Sequence, residues 1–401
     1  MKSEYLVQIE QLIAEKYSAD RFKNDTAEQS VLPFWTALKE LEQLRQMSQA
    51  ILAGSLGQLE PQLAALVQET EQQQDLEWFA QHCLTFSDPE QVASDANWLW
   101  NEAKTTQYLY IGVELHWVLC VSRCLGLIRL ETLCRLRQTK ICVFGASVAA
   151  SSIELLADLG CAHIRCIDDG VVDPSNLPRL PMATVFQLGQ PKVMLLAERL
   201  RQRHPYGKFD CLIGRVVTHQ DEKQRANQVV ATEFIRDADI IIEVIDDIRM
   251  KSIIHTTVLS NFPDIPLIFV ADLGTEPVVK VVQTNEKGKV ERPFGRTWTG
   301  SERSLLEKAQ HSLPLSRYEV QRLAYLMVKE SLPAEHTLQF LLNCEGVMPF
   351  WSQTPIASRL SAAQVAVAVL ELLGGVTTSH LTSLQPNIAQ LSESYFHSHE
   401  S

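Results

Sequence analysis

Asp168, Arg179, Lys192 and Asp246 are the residues whose types and intervals offer chemistry in this sequence. Asp168 ends a short apolar run 23 residues past Gly145, the place at which a carboxylate holds ribose hydroxyls in nucleotide-binding sheets. Ser-Asn-Leu-Pro-Arg follows, with Asn176 and Arg179, and Gly-Gln-Pro-Lys then places Lys192 thirteen residues after the arginine. An amide, a guanidinium and an ammonium near a helix N-terminus suit a triphosphate, because arginine binds oxygens in pairs and lysine brings a movable point charge. Fixed cations there also stabilise charge building on an α-phosphate and a departing pyrophosphate. Asp246 closes the run Ile-Ile-Ile-Glu-Val-Ile at the carboxyl edge of a strand, where a carboxylate suits Mg²⁺. Glu243, inside that run, needs a partner once buried, and the sequence names none. Taken singly, each residue is an ordinary strand-end or surface group; the intervals make the set.

The elements that must position them read as follows. Ile141 to Phe144 is a short apolar run that ends at Gly145 and turns into a helical segment stopping at Gly160, and a second apolar run ends at Asp168. That is a β–turn–α–β unit. Of the glycine fingerprint G-x-G-x-x-G only Gly145 is kept, with Ser147 and Ala150 in the other places; Ser147 is placed to cap the helix and leave its N–H groups toward a phosphate. Beyond it VMLLAERLRQRH reads as a helix, DCLIGRVV as a strand, DIIIEVIDD (239–247) as a buried strand, MKSIIHTTVLSNF as a helix and PLIFVADLG as a strand. VVKVVQTNEKGKVERPF reads as a β-hairpin turning near Asn285–Gly288, residues 300–345 as helical, and SRLSAAQVAVAVLELLGG as an apolar helix closed by glycines. Residues 1 to about 135 read as helices only, with a start signal at Asp88-Pro89, and carry no chemical constellation.

Net charge is −12, wrong for a general nucleic-acid binder. Apolar residues make up 46%, enough for a large core. Nine cysteines form no CxxC pair; Cys142 and Cys166 sit in apolar runs, which points to a reducing compartment. The start is amphipathic and acidic, unlike a secretory signal, and Tyr108–Val121 is too short and too polar to span a bilayer. A soluble, cytoplasmic protein is expected.

From about Arg123 to Gly375, the sequence resembles the ThiF/MoeB-type adenylyltransferases, relatives of ubiquitin-activating enzymes. The motif D-x-x-x-V-x-x-S-N-L-x-R, the G-x-x-K after it and the acid-ended strand carry the resemblance, with the L-R-x-x-K lead-in and the closing helix. It implies an α/β fold: a Rossmann-like, doubly wound, mostly parallel sheet, with an added all-helical N-terminal domain and a helical C-terminal segment. The expected boundaries are 1–122, 123–300, 301–385 for the helical segment and closing helix, and 386–401 for a loose tail. It implies binding of ATP and Mg²⁺ and activation of a carboxylate as an acyl-adenylate with release of pyrophosphate. The carboxylate would belong to the C-terminus of a small protein, a peptide or a small acid.

Position by position, it implies that Asp168 holds the ribose and that Asn176, Arg179 and Lys192 bind the phosphates. Arg179 and Lys192 would be catalytic and Asp246 would hold the metal, with Gly145 and Ser147 in the ATP loop. Arg123 would reach the partner subunit's site in a homodimer, and no nucleic acid or membrane is expected as partner. This sequence departs from the family pattern at Ser147 and Ala150, at Gly170 (usually an acid) and at Asp246-Asp247 (usually Asp-Asn). The paired CxxC motifs are absent, so no structural zinc is expected; no cysteine matches a thioester-forming position, and Cys344 reads as structural. Two other readings remain: a non-catalytic family member that binds nucleotide or partners, and an oxidoreductase using NAD or a flavin.

Overall fold

The computed structural model describes residues 3–17, 25–54, 72–101, 106–217, 228–273, 276–282, 294, 298–311, 313–328 and 353–374. The chain divides into two compact units, residues 1–135 with 373–401, and residues 136–372.

In the first unit, helices Glu4–Tyr17, Asp25–Leu52 and Gln72–Phe86 bury one face each around Ile9, Phe34, Leu38, Leu41, Phe79 and Cys83. The short helix Pro89–Asp95 starts as its sequence signal says, Asp88 accepting from the Glu90 N–H at 3.0 Å. At its other end Lys16 Nζ donates to the carbonyls of Ala93, Ser94 and Ala96, a cation where the helix carbonyls point. Helices alone were expected here. The unit also holds an antiparallel ribbon, β1 (Asn97–Asn101) with β2 (Thr106–Tyr110), before helix Val113–Val121. The aromatic-rich NWLWN and TQYLY favour strands, and Leu109 enters the core.

The second unit is built on a six-stranded sheet. Its strands are β3 (Lys140–Phe144), β4 (His163–Asp168), β5 (Lys208–Ile213), β8 (Ile240–Glu243), β9 (Leu267–Leu273) and β10 (Glu276–Val282). Their order is β10-β9-β8-β3-β4-β5, parallel throughout except β10. This is the doubly wound, mostly parallel arrangement expected. The strand order reverses between β3 and β8, and ligands of such sheets bind beyond the strand ends at that point. Burial on both faces explains why β3 and β8 read as unbroken apolar runs.

Three local readings change. DCLIGRVV is broken at Gly214 into β5 and β6 (Arg215–Val217), and β6 pairs with β7 (Gln228–Val230) instead of extending the sheet. The strand of DIIIEVIDD stops at Glu243, so Asp246 lies three residues beyond the strand rather than at its end. β10 forms its hairpin with the preceding β9; the turn expected near 285–288 lies outside the described residues, as do Cys344 and the tail.

Helix Pro355–Leu372 is the one described helix long and apolar enough to cross a membrane. It packs against helix Ala149–Asp158 and strands β9 and β10, burying Ala357, Ala362, Val365 and Val369, which accounts for its composition. Gly374 ends it with φ +83°, as the glycine signal predicts.

Candidate active site

The turn after β3 is held tightly. Gly145 has φ +98°, and a side chain there would put its Cβ 3.1 Å from the Val244 carbonyl oxygen, so only glycine fits. Gly145 N–H donates to the Ile167 carbonyl and Val244 N–H to the Phe144 carbonyl, lacing together the exits of β3, β4 and β8. Of the other two fingerprint positions, Ala150 is fully buried. Ser147 does not cap the helix. Val148 occupies the N-cap and no side chain closes it, which leaves the first-turn N–H groups of Ala149–Asp158 uncapped by side chains. Arg359, which the sequence reading did not single out, donates to Ser151 Oγ at 2.9 Å in that first turn.

Asp168, at the end of β4, accepts from Ala146 N–H and Gly170 N–H, one on each oxygen, both at 2.7 Å. These charge-assisted bonds fix the carboxylate, and each oxygen keeps a lone pair for a further donor. Lys192 is brought back to the same place. Val171 and Pro191 form an antiparallel bridge, and Val172 N–H donates to Gln190 O, Gly189 N–H to Val172 O and Lys192 N–H to Gly170 O. A Cβ on Gly170 would lie 2.8 Å from Asp168 Oδ1 and 2.9 Å from Lys192 Nζ. Gly170 therefore keeps open the space between the carboxylate and the ammonium, which lie on either side of it without forming an ion pair.

Asn176 is buried, and its Oδ1 accepts from Asp173 N–H at 3.1 Å. Its carbonyl accepts from the N–H groups of Arg179 and Leu180. Asn176 thus builds the turn that aims Arg179. The Arg179 Nε is buried with no partner among the described residues.

Asp246 is exposed, and its Oδ1 faces Gln353 Nε2 at 3.4 Å. Asp247 caps helix Ile248–Asn261, accepting from Arg249 N–H at 2.9 Å and Met250 N–H at 3.2 Å. Aspartate and asparagine serve equally at an N-cap, which accounts for the Asp-Asp variation. The partner of Glu243 is Lys251, eight residues on, and both are buried. Lys251 Nζ gives its three donors to Glu243 Oε1 (2.9 Å), Glu243 Oε2 (2.8 Å) and the Val270 carbonyl (2.9 Å). Behind it His255 stacks on Phe294, its pKa pushed down to about 3 by burial.

A cleft opens beyond β8 and β9, about 520 Å³ when the open solvent at its mouth is included. Val148, Ile245, Ile248, Phe269 and Met327 form its apolar wall; Asp246, Asp272 and Gln353 are its polar groups, besides the committed Lys251. Asp272, near the end of β9, was missed from the sequence. It is 6% exposed, and neither of its oxygens has a partner among the described residues. Burial raises its pKa to about 7, against the lowering charge of Arg179 and with Asp246 adding to the rise. Its signal was an acid inside the apolar run PLIFVADLG. The expected residues form two groups: Asp168 with Lys192 at the β4 exit, and Asp246, with Arg179 acting on Asp272, at the β8–β9 exits. Arg123 lies in the first unit, exposed, 3.6 Å from Glu40.

Fold and site thus define a doubly wound α/β protein with a polar constellation at its topological switch point. Residues 121–399 match the ThiF family, and the chain belongs to it. It is 29% identical over 133 residues to a probable molybdopterin-synthase adenylyltransferase of Porphyra purpurea, covering 33% of this chain and 32% of that one. Over 135 residues it is 27% identical to the SAMP-activating enzyme E1 of Haloferax volcanii, covering 33% and 46%. The chain thus spans less than half the length of these curated relatives. Among solved structures it is similar to E. coli MccB with AMPCPP and MccA, at TM-score 0.39 and 14% identity, over 65% of this chain and 62% of that one. It is also similar to E. coli tRNA N6-threonylcarbamoyladenosine dehydratase, TcdA, with AMP, at TM-score 0.40 and 16% identity, over 61% and 89%.

Proposed function

We propose that this chain is an ATP-dependent adenylyltransferase that activates a carboxylate. The observation that carries the reading is the return of Lys192 to Asp168 across Gly170, at the carboxyl edge beside the Gly145 turn. A carboxylate with free lone pairs, an ammonium and an uncapped helix N-terminus at one edge suit ribose hydroxyls and phosphates together. The curated relatives named for adenylyltransfer and SAMP activation support the same reading.

In this reading Asp168 holds the ribose, and the first-turn N–H groups after Gly145 and Ser147 face the phosphates. Asn176 holds the turn that aims Arg179. A substrate carboxylate oxygen attacks the α-phosphorus, forming the acyl-adenylate, while the bond to the β-phosphate oxygen breaks and pyrophosphate leaves. Arg179 and Lys192 stabilise the charge that develops on those oxygens. Asp246, exposed at the cleft mouth, would hold Mg²⁺, which when bound would supply neutralisation of phosphate charge. The acceptor is a protein C-terminus, a peptide or a small acid. Homodimerisation and a cytoplasmic location belong to the same proposal.

The test is ATP–pyrophosphate exchange on the full chain, with a panel of peptides and small proteins bearing free C-termini. Exchange that depends on one acceptor and is lost in Arg179→Ala and Asp246→Ala is expected. Exchange that persists in both variants would sink the mechanism; ATP binding without turnover for any acceptor would favour a non-catalytic nucleotide-binding role, and binding of NADH instead of ATP an oxidoreductase.

A further inference from the structure

We infer that Asp272 is a second ligand, together with Asp246, for the divalent cation that accompanies the nucleotide. This rests on the ATP reading above and extends it to a residue outside the motif set.

Register supplies the first argument. β8 and β9 run parallel and pair Glu243 with Phe269. Asp246 follows three residues beyond the end of β8, and Asp272 stands three residues past Phe269 within β9, so both lie past the last residues that β8 and β9 pair, at the carboxyl ends of neighbouring strands. Both line the same cleft.

Burial supplies the second. Asp272 is 6% exposed with both oxygens unpartnered among the described residues. Folded proteins pair buried carboxylates, and one left open toward a cleft marks a place that a ligand completes. Lys251, the cation nearest in the cleft wall, cannot serve, because its three donors are spent on Glu243 and the Val270 carbonyl.

The third concerns Arg179. Its charge acts on Asp272, yet the two make no ion pair, and Arg179 Nε is itself buried and unpartnered among the described residues. A half-buried guanidinium with an unpartnered Nε and a buried carboxylate, near enough for the charge to act but not paired, suit a ligand bearing anionic oxygens for one and a cation for the other. A metal–phosphate unit has both. Mg²⁺ takes one or two carboxylates plus phosphate oxygens and waters, which matches Asp246 and Asp272.

Mn²⁺ titration of the full chain, followed by its electron paramagnetic resonance signal with ATP present, tests this in the wild type, Asp246→Asn and Asp272→Asn. ATP binding in EDTA and thermal unfolding without metal are measured alongside. Asp272→Asn should bind ATP in EDTA as the wild type does and weaken Mn²⁺ binding by about tenfold or more, since even outer-shell changes reach that size. Its metal-free melting temperature should hold or rise, because the amide removes a buried charge. Unchanged Mn²⁺ affinity would overturn the inference, and so would a lower metal-free melting temperature, which would make Asp272 a structural partner of Arg179. Asp272→Ser serves as a second variant if the amide misfolds. If the wild type binds no ATP, the ATP reading fails by itself. Mn²⁺ titration without nucleotide then decides Asp272: weakening in Asp272→Asn supports a metal ligand and indifference overturns it.

Discussion

Lys251 holds Glu243 by both oxygens, at 2.9 and 2.8 Å, in the interior beside the ligand-facing edge of the sheet. Removing either partner strands a buried charge, so Glu243→Gln or Lys251→Met should each lower stability by about 3–5 kcal/mol. The double change Glu243→Leu with Lys251→Met removes both charges and should recover most of the loss. Urea denaturation of the three variants checks this, and a double variant as unstable as the sum of the singles would contradict it.

Gly170→Ala places a methyl 2.8 Å from Asp168 Oδ1 and 2.9 Å from Lys192 Nζ. The lysine end is flexible and swings aside, but Asp168 Oδ1 is held by its N–H donors, so the carboxylate must shift too and melting should also fall. Losing one charge-assisted hydrogen bond to a bound phosphate is worth about 1.5–3 kcal/mol. That corresponds to roughly ten- to hundredfold weaker ATP binding by titration calorimetry. Wild-type affinity in this variant would remove Lys192 from the nucleotide site.

Asp246 and Asp247 are adjacent yet have opposite expected effects. Asp247→Ala deletes the cap of helix Ile248–Asn261 and should lower stability by about 1 kcal/mol, while Asp247→Asn is silent. Asp246→Ala should leave the melting temperature in place and reduce metal-dependent nucleotide binding. A stability loss at Asp246 with none at Asp247 would reverse the assignment.

His255 carries a pH dependence of definite sign. In the folded chain burial, with the charge of Lys251 second, pushes its pKa down to about 3, whereas an unfolded histidine takes up a proton near 6.5. Its contribution to stability is therefore full above that value and is lost as pH falls toward about 3. His255→Phe keeps an aromatic ring against Phe294 and removes the titration. The variant should lose less of its melting temperature than the wild type between about pH 7.5 and 5. Parallel pH curves for the two proteins would contradict the assignment.

The strand–helix alternation and the acid at the end of β4 were legible because both are local: apolar runs have a period, and Asp168 directly ends one. Lys251 was hidden within a helical segment because its partner lies eight residues away across a turn, an interval no periodicity marks. Asp272 was hidden because a single acid in an apolar strand looks the same whether or not it is paired; only the folded cleft puts it with Asp246. The ribbon β1–β2 escaped because each of its strands is only five residues long, too short for an alternating pattern to stand out between the flanking helices. Ser147 was assigned a cap from its residue type, but the turn starts the helix one residue later.

The clasp of Val171 on Pro191 closes the intervening stretch into a tethered loop whose two ends are fixed beside Asp168 and Lys192. Lengthening such a loop is cheap, each doubling adding only about 0.6 kcal/mol of closure entropy. Its outer part, with Phe186 90% exposed, can therefore be rewritten while the ammonium stays where it is. Beyond the turn that holds Asn176 and Arg179, the stretch around Phe186 can vary without moving Asp168 or Lys192.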